Sequence, residues 1–323
     1  MRGGSVLGQL VSACGLLFAV VLFNFVVLHL APGDVAETLT SATGGATKEI
    51  LDQVRHLYGL DQPLHVQFLA YLSRLLHGDL GTSAYFNAPV AGLILDRLFP
   101  TALLVGTALV LAIVLGAMLG IVAARRPGGI VNSLVSVLSL VGYSAPVFWT
   151  GILVLLAFAS WLPLFPAQGM VDPRLSGGPI ARVIDVLHHL VLPAVTLASV
   201  YLAQYSRLAR TSMLDALGAD YIRTARAKGL GEHTVVYKHA LRNAILPIVT
   251  VAGVQVSHLL AGAVLVETVF GWPGMGRLAY ESILRRDAPL MLGILFCTAL
   301  LVIVVNMATD LLYRAIDPRI RTQ

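Results

Sequence analysis

Charge is scarce in this chain. Of its 323 residues 12% are charged and 57% are hydrophobic, and the mean hydropathy is +0.82. Soluble domains carry about 25% charged residues, so the composition argues against a water-soluble globule. The net charge of +5 is a small excess and does not make nucleic acid the default partner. Cysteine is nearly absent, and Cys14 and Cys297 both sit in long apolar runs. Two cysteines exclude a disulfide framework and a four-cysteine zinc site. A phosphate-binding loop needs a lysine directly after a glycine, because that lysine must reach the phosphates from a glycine-rich turn. None of the three lysines, Lys48, Lys228 and Lys238, follows a glycine, so the chain does not bind ATP by that route. There is no His-Glu-x-x-His, and Gly142-Tyr143-Ser144-Ala145-Pro146 lacks the closing glycine of a nucleophile elbow. The one histidine pair, His188-His189, joins neighbours that point about 100° apart on a helix, a poor geometry for one metal.

What the sequence does have is uncharged length. A helix needs about 20 apolar residues to cross the hydrocarbon core of a bilayer. Six stretches qualify: 6–30, 101–123, 133–161, 187–206, 244–266 and 290–312. The third is expected to be one tilted or bent helix with its bend at Pro146. The first is expected to stay in the protein, since its apolar run exceeds a signal core of about 7–15 residues. If the N-terminus is cytoplasmic, the inner segments hold 13 basic and 5 acidic residues and the outer segments 9 and 12. Basic residues concentrate on the cytoplasmic side, so both termini are expected inside. The organisation that follows is a first span in 1–30, an outer segment in 31–100, a five-helix core in 101–313 with a cytoplasmic loop at 207–243, and a tail in 314–323. In the outer segment Ile50, Leu51, Val54, Leu57 and Tyr58 form one helical stripe, and His65, Phe68, Leu69, Leu72, Leu75 and Leu76 a second, closed by Gly59 and Gly78. These two amphipathic helices either cap the bundle or touch a partner.

The loop 207–243 is the most informative segment. It is basic, and it contains Asp220-Tyr221-Ile222-Arg223-Thr224-Ala225-Arg226-Ala227-Lys228-Gly229-Leu230. Asp220 is placed to cap a short helix and Gly229 to end it. A second helical stretch, 232–243, leads into Ile245-Leu246-Pro247. A short helix across the inner membrane face can serve as a lever or simply lie on lipid phosphates.

This loop resembles the EAA loop of ABC-importer permeases. The wide family reads Glu-Ala-Ala, three residues and Gly; here Arg223-Thr224-Ala225 precede Gly229, with the leading Glu missing and a longer spacer before Leu246-Pro247. Both departures are features of the peptide and nickel branch, as are His239, Leu241, Arg242, Asn243 and Pro247. Leu30-Ala31-Pro32-Gly33-Asp34, Tyr58-Gly59-Leu60-Asp61-Gln62-Pro63, Gly78-Asp79-Leu80-Gly81-Thr82-Ser83, Phe270-Gly271-Trp272-Pro273-Gly274-Met275-Gly276 and Asp317-Pro318-Arg319 agree with it too. The chain is similar to the permease subunit of a dipeptide, oligopeptide or nickel-type importer. The resemblance implies an all-α polytopic membrane protein with six transmembrane helices and the type I importer permease fold, in a bacterial inner membrane. It implies a heterodimer with a second homologous permease, two ATPase subunits below and an extracytoplasmic binding protein above. ATP and Mg then belong to the partner subunits, and this chain binds no cofactor and catalyses no reaction. Tyr221, Thr224, Ala225, Ala227, Lys228, Gly229 and Leu230 are the implied coupling residues, with Tyr221 and Ala225 on one helical face and Ala227 off it.

A self-sufficient carrier or a membrane enzyme is the other class to weigh. A carrier should show buried acids and paired inverted halves. The acid expected well inside a span is Asp310, one turn from Arg314 at i+4. Polar groups in the bilayer core face protein or water. Tyr143, Ser144, Gln255, His258 and Asn306 therefore line either helix contacts or a translocation cavity, and none of them distinguishes one solute from another.

Overall fold

The computed structural model describes residues 6–30, 47–58, 61–125, 145–174 and 177–316, with the single positions 129 and 133. It is helical nearly throughout. Two compact units divide it, residues 1–100 with 274–323, and residues 101–273.

The first unit begins with α1, Val6–Leu30. Then come α2, Lys48–Tyr58, and α3, Leu64–Leu76, where the two amphipathic stripes were expected. A two-residue hairpin pairs β1, Thr82–Ser83, with β2, Ala88–Pro89. It leads into the first eleven residues of α4, Val90–Arg125. The unit is completed by α9, Met275–Leu284, and α10, Ala288–Ile316. Its core joins Val90 and Ile94 to Met275, Leu278, Leu290 and Ile294. The α3 helix lies on α1 through aromatic rings, with Phe68 edge-on to Phe18 and Phe25 at 5.9 and 5.3 Å between centroids. Farther along the same contact, His29 Nε2 and Gln67 Oε1 are 3.0 Å apart. Asp287 fastens the hairpin to the start of α10. Its buried carboxylate accepts from the Ser83 hydroxyl at 2.5 Å, the Tyr85 N–H at 3.2 Å and the Leu290 N–H at 3.2 Å.

The second unit holds the rest of α4, then α5, α6, α7 and α8. Pro146 does not bend a helix. It is the extended residue, at ψ 133°, from which α5 starts as Val147–Leu155, continuing as a π-helical turn, Leu156–Trp161. Residues 134–144 of the expected third span lie outside the described residues. The α6 helix, Pro179–Gly218, is 40 residues long and carries Pro at its first position, where the missing N–H costs nothing. The α7 helix is Asp220–Ala227. Glu232–Thr234, a π-helical segment Val235–Ala240, and Leu241–Val269 follow without a break and together form α8. The helices overrun the uncharged stretches at most ends, because charge marks the edge of the apolar run and not the end of the hydrogen-bonded helix.

The α4 helix shows what surrounds it. Val110, Val114, Met118 and Val122 are exposed at every fourth position, while Leu104, Ala108 and Ala112 are buried on another face. A stripe of that kind belongs against lipid. Among the described residues, 90–124, 179–218 and 288–309 are long and apolar enough to cross a membrane, and 11–27 and 147–161 are shorter apolar helices.

One crossing is unusually close. A Cβ at Gly116 would sit 2.7 Å from the Tyr205 Cβ, and one at Gly120 would sit 2.7 Å from the Ala209 Cβ and 2.8 Å from the Arg210 nitrogen. Small residues at a four-residue spacing let two membrane helices touch backbone to backbone. Gly120→Ala is expected to destabilise the protein by about 1–3 kcal/mol, because backbone must move to admit the methyl group. Gly106, on the same helix, has nothing within 4 Å of its would-be Cβ. Gly106→Ala should therefore be neutral or slightly stabilising. Thermal unfolding of the two variants in detergent separates them.

Candidate functional site

The segment 207–243 is far more helical than a loop. Residues 207–218 are the end of α6, then α7 crosses, and α8 rises from Glu232. Asp220 is the first helical residue and does not cap: Ala219 precedes the helix, with no side-chain cap, and Asp220 pairs instead with Arg223 at 3.3 Å on the surface. The glycine end is as expected. Gly229 has φ +75°, its N–H donates to the Arg226 carbonyl at 2.9 Å, and the Leu230 N–H reaches the Ala225 carbonyl at 3.4 Å. These two bonds are those of a Schellman cap, whose left-handed residue favours glycine. Nothing lies within 4 Å of a Cβ at Gly229, so conformation and not crowding selects glycine there.

The underside of α7 is apolar and closed. Ile222 is fully buried and Ala225 is 6% exposed. They pack in one cluster with Ile121 and Ala124 of α4, Met213 and Ala216 of α6, and Val235, Val236 and Ala240 of α8. Burying one isoleucine side chain is worth about 1.5–3 kcal/mol. This arrangement corrects the expected face. Tyr221 is exposed, whereas Ala225 points inward, so the two do not form one outward surface. Tyr221, Thr224, Ala227, Lys228 and Leu230 are exposed, as are Arg223 and Arg226, with the Thr224 hydroxyl donating to the Asp220 carbonyl at 3.1 Å.

Of the residues weighed for a cavity, Gln255 and Asn306 have described side chains. Tyr143 and Ser144 lie outside the described residues, and His258 stands in α8 with its side chain outside the description. Gln255 is buried and hydrogen-bonds the Tyr201 side chain, which ties α8 to α6. Asn306 is exposed on α10, in the other compact unit. The side chains of Asp310 and Arg314 are also outside the description. The two adjacent histidines diverge. His188 donates from Nε2 to the Leu164 carbonyl at 2.9 Å, and His189 turns Nδ1 to the Asp185 carbonyl at 2.9 Å.

One polar group was missed. Because α8 continues to Val269, Glu267 falls inside its last turn, and it is fully buried. The Thr101 hydroxyl donates to Glu267 Oε1 at 2.7 Å. The sequence signal available was an acid directly after an apolar run and just ahead of Phe270-Gly271-Trp272.

These features match known proteins along the whole chain. Residues 116–322 match the family model described as the binding-protein-dependent transport system inner membrane component, and residues 5–105 match its N-terminal counterpart. The chain belongs to this family and is a permease subunit of an ABC importer. It is 42% identical over 316 residues to a putative peptide permease protein of Brucella suis biovar 1, covering 98% of each chain. It is 39% identical over 319 residues to the dipeptide transport system permease protein DppB of Escherichia coli K12, covering 94% of each. The oligopeptide transport system permease protein AppB of Bacillus subtilis is 36% identical over 306 residues, with 94% of this chain and 95% of that one covered. A solved structure of the MetNI methionine ABC transporter, in inward-facing conformations, shares the fold. Its TM-score is 0.55 at 18% identity, covering 70% of this chain and 96% of that chain. The fold is therefore the type I importer permease fold. Family membership implies ATPase and substrate-binding partners and a multi-pass position in the inner membrane.

Thr101→Val removes a donor from a buried carboxyl group and is expected to cost about 1–3 kcal/mol of stability. Thr101→Ser keeps the hydroxyl and should recover most of it. Denaturation midpoints of the two variants measured side by side check this.

Proposed function

We propose that this chain forms half of the translocation pathway for peptides or a chemically related small solute. It does so beside a second homologous permease, with two ATPase subunits on the cytoplasmic side and a binding protein outside. Six spans and two cytoplasmic termini complete the reading, which rests on the charge division between alternate segments. ATP and Mg act on the partner subunits, and this chain performs no catalysis. The peptide assignment rests on relatives named for peptide, dipeptide and oligopeptide transport at 36–42% identity over nearly full length.

The α7 helix is the coupling element in this reading. The observation that carries it is the two-sided character of α7: an underside fused to three helices and an outward face of Tyr221, Thr224, Ala227 and Lys228. A displacement applied to that face is passed to α4, α6 and α8 through Ile222 and Ala225. The ATPase is the partner that would apply it. Gly229 and Leu230 hold the helix end in place and need not touch the partner.

The test uses the outward face. Tyr221→Glu and Ala227→Glu are expected to leave membrane levels unchanged while ATPase co-purification and peptide uptake fall by roughly tenfold or more, since about 1.4 kcal/mol is a factor of ten. Ala225→Glu is a different experiment. It buries a carboxylate among Ile121, Met213 and Val236 and is expected to lower the amount of assembled permease. Full ATPase binding and uptake in both outward-face variants would remove α7 from the coupling role. The topology is checked separately: a reporter fused after Gln323 should be cytoplasmic, and external labelling there would overturn the six-span arrangement.

A further inference from the structure

Lys228, Gly229, Leu230 and Gly231 are all that separate α7 from α8. Gly229 and Gly231 each have nothing within 4 Å of a would-be Cβ, and the backbone bonds at the turn stay within each helix end, Gly229 N–H to the Arg226 carbonyl and Val235 N–H to the Gly231 carbonyl. Beneath, Ile222 and Ala225 rest on Val235 and Val236. Apolar contact of that kind is non-directional. It opposes separation of the two helices, yet it fixes the angle between them weakly. A lever pushed from one side needs a second, directional hold.

One ion pair across the turn has the required form. Arg226 donates from Nε to Glu232 Oε2 at 3.2 Å and from a terminal nitrogen to Glu232 Oε1 at 2.7 Å. This is the paired fork that gives arginine–carboxylate contacts their geometric specificity. The partners are six residues apart and belong to different helices, so the pair spans the turn and does not run along one helix. Each charge also stands where the helix dipole favours it, Arg226 in the last turn of α7 and Glu232 in the first turn of α8. The Glu232 carboxylate raises the pKa of the Arg226 guanidinium. Both side chains are about half exposed, so the pair contributes little to global folding. Its effect is on orientation.

We propose that Arg226 and Glu232 are positioning residues for transport: a clasp across the Gly229 turn that sets the angle between α7 and α8, so that a push on α7 moves α8 instead of rocking α7 in place. This rests on the reading of α7 as the coupling element. It adds two residues that need not contact any partner.

The experiment uses the assembled importer in proteoliposomes, with its binding protein, and reads labelled dipeptide taken up per ATP hydrolysed. Arg226→Glu and Glu232→Arg each place like charges face to face. Each is expected to lower that ratio by about two- to fivefold, the scale of a well-formed exposed pair, with the ATPase subunits still bound. The exchange Arg226→Glu with Glu232→Arg restores the attraction but puts each charge at the disfavoured helix end. It should recover part of the ratio and exceed both single variants. Unchanged ratios in the single variants overturn the clasp. So does an exchange no better than the worse single variant, which would mean that Arg226 acts by contacting the ATPase itself. Tyr221→Glu in the same preparation separates the two levels of the argument. If it abolishes ATPase binding while the clasp variants change nothing, only the clasp fails. If it too has no effect, the coupling role of α7 fails with it.

Discussion

The burial of Ile222 and Ala225 is the contact on which the rest of this reading depends. A helix of eight residues is too short to be stable alone in water. It persists here because its underside is covered by α4, α6 and α8 together. The same burial gives it mechanical meaning. A helix tethered only at its ends could be pushed without moving anything else. A helix whose underside is part of a three-helix core cannot, because close-packed interiors deform little and pass displacement on.

That core stands on a second constraint farther along α4. Gly116 and Gly120 let α4 meet α6 backbone to backbone beside Tyr205, Ser206 and Ala209. Within the turn after Gly120, Ile121 and Ala124 enter the cluster under α7, and so do Met213 and Ala216 within two turns of Ala209. The close crossing and the seat of α7 are therefore consecutive parts of one helix pair. In lipid, apolar surface supplies no net drive for helices to associate, and contact distance matters more than hydrophobic area. Glycine is the residue that shortens that distance, and the positions where it does so set how the seat of α7 is built.

Much of this was legible in the residues. Uncharged length located the helices, and the Ala-Lys-Gly-Leu order located the left-handed turn at Gly229, because that conformation is a property of the glycine backbone. The errors have physical causes as well. Charge ends an apolar run but not a helix, so α6 runs past both of its expected ends, through Arg182 and Asp185 on one side and Arg207 and Asp215 on the other. For the same reason Glu267 was set outside a helix that in fact contains it. Pro146 was read as a bend, though proline is equally at home just before a first turn. Tyr221 and Ala225 were placed together because residues four apart on a helix are neighbours. The buried stripe instead passes through Ile222 and Ala225, three apart, and Tyr221 falls at its rim. Spacing gives the angle between two side chains and not which side of the helix the core lies on.

The π-helical segment Val235–Ala240 has no mark in the sequence, yet it explains how α8 serves two cores. Residues five apart on an α-helix point about 140° from each other. Val235 and Ala240 would then face different sides, while Val236, four residues before Ala240 and also in the seat of α7, would stay on its face. A segment with i→i+5 bonding has a wider turn, which brings residues five apart nearly into line. With it, Val235, Ala240, Ala244 and Ile248 are all buried along one rod. Val235, Ala240 and Ala244 sit in the cluster beneath α7, and Ile248 sits in the larger core with Leu104, Leu197 and Leu259. The wider turn adds Val235 to the buried row that Val236, Ala240, Ala244 and Ile248 form at four-residue spacing. Pro247 lies between them inside the continuous helix, where its missing N–H cannot bond the Asn243 carbonyl. A single continuous helix thus carries the seat of α7 at one end and the bundle core at the other.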